Sequence, residues 1–278
     1  MRGSISITGG SRAAFAFWLT AWRPAFGALA LAGLLGAAAA VASLLRDFRL
    51  LPGLYAAYLL AVVMAQGALL RLAGAGASAD GWALSPGWGG FQWGALEWRL
   101  LAVAALRLAL FLLLGALLVT LVAVLYVGLA TARSGHGVAD AAAWRFGAGD
   151  PWVSGAISFV AAAGVCALVW VGLRLYLAPI ATAAAGQVRL LSTWPWTRGR
   201  ALTILGSVIL VFSPLILAAV AIRAGRVMFA IHLDEHRAHA AALGLIVGFG
   251  RAFLALPASV GLMSYLHDRL GPADAGAP

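Results

Sequence analysis

Six stretches of nineteen residues or more carry almost no charge, and they dictate the solvent in which this chain folds: 27–45, 51–70, 100–132, 153–185, 201–222 and 240–266. A helix of about 20 apolar residues crosses the hydrocarbon of a bilayer, where no water can bond a free backbone group. The stretches therefore predict an all-α, polytopic integral membrane protein of about six transmembrane helices, one membrane domain over 1–278. Composition points the same way. The chain is 63% hydrophobic and 10% charged, whereas a soluble domain needs roughly a quarter charged residues to coat its surface. The third and fourth stretches are longer than a bilayer needs, which predicts tilting or helix that continues beyond the membrane.

All 19 basic residues are arginine, and the formal net charge is +10. Because these arginines flank apolar spans, the charge suits anionic headgroups and argues against nucleic acid as a partner. With the N-terminus in the cytoplasm, inner segments hold nine arginines and outer ones seven; Arg107 and Arg174, near span ends, raise the inner number to eleven. The expected location is a bacterial cytoplasmic (inner) membrane, multi-pass, with both termini cytoplasmic. The first residues do not read as a cleaved signal, because no short apolar run precedes a processing site. Cys166, the single cysteine, can form no intramolecular disulfide.

Between the fourth and fifth spans lies LLSTWPWTRGRALTIL. Trp194 and Trp196 suit the headgroup layer, where an indole buries its ring and keeps its N–H wet, and Arg198 and Arg200 fall where phosphates are. The segment reads as an interfacial helix or turn; Pro195 can start a helix or break one. Near the N-terminus Phe15, Trp18 and Trp22 recur at helical spacing between Arg12 and Arg23. Residues 11–74 and 187–271 can thus be read as a parallel pseudo-repeat, each an aromatic-basic interfacial segment followed by two spans. Trp88, Trp93 and Trp98 sit in a glycine-rich connector and read as further interfacial anchors.

The segment RLYLAPIATAAAGQVRLLSTWPWTRGRALTILG resembles a bacterial membrane-domain family that includes the membrane region of some glycerophosphodiester phosphodiesterases. The likeness rests on Arg174, Leu177, Ala178 and Pro179, then Thr193, Trp194, Thr197, Arg198 and Gly199, with the closing LPASVGLMSYLHDRL. It covers about 50 residues, and Pro195 departs from the family's pattern. The resemblance implies a six-helix membrane domain, mostly of unassigned function. It does not imply phosphodiesterase activity, since no segment here is a soluble hydrolase barrel.

Enzyme signatures are sparse. His232, Glu235 and His236 spell H-x-x-E-H, an inverted zinc-peptidase pattern in which two histidines bind zinc and the glutamate activates water; a third ligand is hard to find, and a polar loop is the plainer account. The chain has no H-E-x-x-H, G-x-S-x-G or P-loop pattern. No acidic residue lies within an apolar stretch, which argues against ion-coupled transport. Arg251 stands out, about 11 residues into the sixth span and roughly 16 Å deep at helical rise. A charge there needs water, a phosphate or freed backbone carbonyls, such as those created by Pro214 or Pro257. Gly244 and Gly248 form a G-x-x-x-G for close helix packing, within the chain or between copies.

These features give a non-enzymatic protein without cofactor that binds or organises membrane phospholipid or a membrane-protein partner. Arg251 is the buried anion contact, with Arg174, Arg198 and Arg200 at the inner rim. The alternative is a transporter or permease subunit for a lipid-like or anionic solute.

Overall fold

Leucine and alanine fill the apolar stretches, straight-chain or small residues that lose little freedom in a helix. The computed structural model describes residues 5–45, 48–74, 88–134, 149–228 and 237–271, and the regular elements among them are helical: α1 Ile7–Ala21, α2 Phe26–Leu44, α3 Leu51–Leu72, α4 Ala95–Ser134, α5 Pro151–Arg174, α6 Ala178–Ala185, α7 Ala201–Met228, α8 Arg237–Phe249 and α9 Leu256–Leu270, with a π-helical segment Gly250–Ala255 joining the last two. Six helical segments are long and apolar enough to span a membrane, so the chain is an all-α polytopic membrane protein.

The two long stretches resolve differently. Residues 95–134 form one uninterrupted helix, about 60 Å at 1.5 Å per residue and twice the hydrocarbon thickness. The fourth stretch is not one helix: α5 ends at Arg174, a turn follows, and Pro179 opens the short α6. Proline fits the first turn of a helix, where its missing N–H would have had no partner.

The described residues group into two compact units, within 1–103 with 176–278, and within 104–175. In the second, α4 and α5 run antiparallel, with Leu118 over Gly164 and Phe111 beside Gly172. Asp150 caps α5, accepting from the amides of Trp152 at 2.8 Å and Val153 at 3.4 Å, and takes Arg133 Nε at 2.6 Å. Much of the apolar surface of this hairpin is exposed, including Leu112, Leu117, Val119 and Phe159, as suits helices solvated by lipid.

The first unit is organised by its two ends. Ser6 caps α1, its Oγ accepting from Gly9 N at 2.9 Å, and α1 lies antiparallel along α9, with Gly10 against Leu262 and Ala14 against Gly261. Then α2 continues along α8, with Gly33 under Phe249 and Ala37 against Gly248. α3 folds back on α2, burying Ala32 with Ala61, and α7 packs on α1 through Gly206 and Ile7. The two halves of the supposed pseudo-repeat differ locally. The first begins with the fifteen-residue α1, whereas 191–200 is a short 3₁₀ turn followed by further turns, as a mid-segment proline favours.

Candidate functional site

The break between α8 and α9 organises the site. The amide of Leu256 bonds the carbonyl of Arg251, five residues back, a π-type bond. Pro257 follows, and a proline has no N–H to give. The carbonyl it would meet in an α-helix, that of Phe253, is taken instead by the indole of Trp18, Nε1 to O at 2.6 Å. So the backbone group freed by Pro257 is capped by a tryptophan 235 residues away in sequence, and not by Arg251. Pro214 in α7 has a local solution: the Leu210 carbonyl it frees accepts from Ser213 Oγ at 2.9 Å.

Arg251 is exposed on the π segment. Its level along α2 follows from the pairing of neighbouring aromatics. The rings of Phe253 and Phe26 are 5.6 Å apart, and Phe249 packs on Gly33. Arg251 therefore lies between the levels of Phe26 and Gly33, about 10 Å along α2 from Arg23 at helical rise. It also falls inside the sixth apolar span, Ala241–Leu270. Trp22 and Arg23 stand at the start of α2, with the guanidinium 5.4 Å from the indole centroid.

Gly244 and Gly248 lie on the α2 face of α8. A β-carbon at Gly248 would fall 2.8 Å from Ala37 Cα, and one at Gly244 would fall 2.9 Å from Ala37 O. The two helices meet backbone to backbone, and the G-x-x-x-G is used within the chain.

A buried ion pair in the same unit is the feature that the sequence reading missed. Glu97, in the first turn of α4, is fully buried, and Arg71, near the end of α3, is 6% exposed. Arg71 Nη2 lies 2.6 and 2.8 Å from the two carboxylate oxygens, and Gly94 N donates to Oε2 at 2.8 Å. The carboxylate rests on Gly67, where a β-carbon would leave it no room. Gly67, one helical turn before Arg71 and on its face, was the available signal. Buried charges persist only when paired and hydrogen-bonded.

The remaining predicted residues are dispersed. Arg174 is buried, with its guanidinium 4.8 Å from the centroid of Trp170. Arg198 is exposed and Arg200 half-buried, their amides closing turns onto the carbonyls of Pro195 and Thr197 at 3.2 Å. Trp194 is exposed, while Trp196 sets its ring edgewise to His267 at 5.9 Å. The pattern His232, Glu235, His236 lies outside the described residues; among those described, no three His, Cys, Asp or Glu group to hold a metal ion.

The fold and these features define a polytopic membrane protein of six apolar helical spans. Comparison of the chain with protein-family models, curated proteins and solved structures found no match.

Proposed function

We propose that this is a non-enzymatic protein of a bacterial cytoplasmic membrane that binds or organises phospholipid, with Arg251 contacting the lipid phosphate. The observation that carries the reading is an exposed arginine on an irregular backbone segment within the sixth apolar span. A cation within an apolar span is costly without a counter-charge, and arginine grips phosphate as a planar fork.

Native mass spectrometry of the detergent-purified chain tests this. Anionic lipid should remain on the wild type and on Arg198→Ala/Arg200→Ala, and leave Arg251→Ala. Identical lipid adducts on all three proteins would refute the assignment. Solute-dependent flux in liposomes would instead favour a permease.

A further inference from the structure

Beside the π segment, α1, α7 and α9 leave a cleft whose walls are Phe15 and Trp18, Val211 and Leu215, and Leu254 and Ala258. Its lining is carbon almost throughout. The polar groups nearest it are already bonded: the Trp18 indole to the Phe253 carbonyl, and the Ser213 hydroxyl to that of Leu210. Ordered water needs two to four polar partners, so water has nothing to hold it here. Among the described residues the cleft opens at its rim, where Phe15, Pro214 and Leu254 are exposed. Arg251, also exposed, precedes Leu254 by three residues on the same segment. A hydrocarbon slot with a cation on the segment that forms one of its walls matches a molecule with an apolar tail and an anionic head.

We infer that the cleft seats one acyl chain of a membrane phospholipid whose phosphate is held by Arg251. This rests on the lipid-binding reading above and extends it to the tail. Pro214 of α7 and Leu254 of the π segment both line the slot. Lipid tails are as apolar as leucine, so no hydrophobic gain drives a chain from bilayer to cleft. The preference comes from the packing contacts that an empty void forfeits, together with the phosphate pair.

The full chain is reconstituted in nanodiscs containing phosphatidylglycerol with a photoactivatable diazirine near one chain end, and labelled residues are mapped by mass spectrometry. Labelling at Val211, Leu215 and Leu254 should exceed that at Leu112 and Leu117 of α4 by about threefold, a modest preference because no hydrophobic gain adds to the packing and the phosphate pair. Ala258→Trp, which fills the cleft, and the milder Leu215→Phe should remove the excess. Equal labelling of the cleft and α4 in the wild type overturns the inference, even if Arg251→Ala loses lipid in native mass spectrometry. An excess that survives both filling variants overturns it too. If Arg251→Ala leaves the cleft labelling and the retained lipid unchanged, the acyl seat stands and the phosphate assignment falls.

Discussion

Trp18→Phe removes the bond that caps the π segment. The substitution keeps an aromatic ring against α7 and α9 but removes the N–H that reaches the Phe253 carbonyl at 2.6 Å. An acceptor left without a donor in an apolar setting costs about 1–3 kcal/mol, and in hydrocarbon no solvent is present to replace the donor. The expected loss is about 2 kcal/mol, taken from the middle of that range. Some of any measured loss will come from the smaller ring, so the single variant is not decisive.

Pro257→Ala separates the two effects. It restores the amide hydrogen four residues after Phe253, so the same carbonyl gains a backbone donor and no longer depends on Trp18. In that background Trp18→Phe should cost only its packing, leaving an interaction energy of about 1 kcal/mol or more between the two sites. Independent sites add within about 0.3–0.5 kcal/mol, so the difference is measurable. The assay is reversible unfolding in mixed micelles at increasing SDS fraction, followed by far-ultraviolet circular dichroism, since the chain has 11 tryptophans and fluorescence would change with the variant itself. Equal costs in the two backgrounds would mean that the indole only fills space and that the capping argument is wrong.

Gly248→Val should lower stability by about 1–3 kcal/mol or prevent folding, because the added carbons meet the Ala37 backbone and backbone cannot yield by changing rotamer; the same unfolding titration reads it. Glu97→Gln should cost about 3–5 kcal/mol by stranding Arg71 in the interior, and Arg71→Met/Glu97→Leu should be far milder, because removing both charges leaves neither uncompensated. Burial alone would raise the Asp150 carboxyl, but the Arg133 contact and the Trp152 and Val153 amides outweigh it and hold it below the ordinary 3.8. A depressed folded value means that the carboxylate stabilises fully above pH 3.8 and that this contribution fades as pH falls further toward the folded value. The wild type should therefore lose stability more steeply than Asp150→Asn in an acid titration below that pH, and parallel curves would refute the cap's electrostatic role.

The spans were legible because a bilayer imposes a length and a polarity that a single sequence displays directly. The G-x-x-x-G was legible for a related reason: two glycines four residues apart share a helix face whatever that face meets. Local pattern failed where the partner is distant. Arg251 and Pro257 marked the sixth span as irregular, but nothing near them says that Trp18 supplies the donor. Trp18 itself read as a headgroup anchor, since an indole suits either role until its neighbour is known. Arg71 and Glu97 each sit at a span end, where a lone charge reads as surface; only folding α4 back on α3 buries both. The break after Arg174 had a signal in Leu-Ala-Pro, yet apolar residues on both sides concealed it.

The irregular segment also explains why cap, cleft and arginine fall together. The two ends of the chain run side by side, α1 then α2 along α9 then α8, and both arms are interrupted at one level. Trp22–Ala25 forms a turn in the first arm, closed by Ala25 N to Ala21 O at 3.4 Å and Phe26 N to Arg23 O at 3.3 Å. Opposite it stands the π segment, joined across the gap by the rings of Phe26 and Phe253. Non-helical backbone is tolerated at membrane depth only where protein buries it or where it lines a cavity. The π segment meets the second condition, since its Leu254 forms a cleft wall, and it borrows a bond from Trp18, while the turn keeps its own bonds. Trp18 thus serves as backbone cap and cleft wall together. A substitution that frees the Phe253 carbonyl must disturb the cleft as well, and one that merely fills the cleft, such as Leu215→Phe, need not disturb the cap.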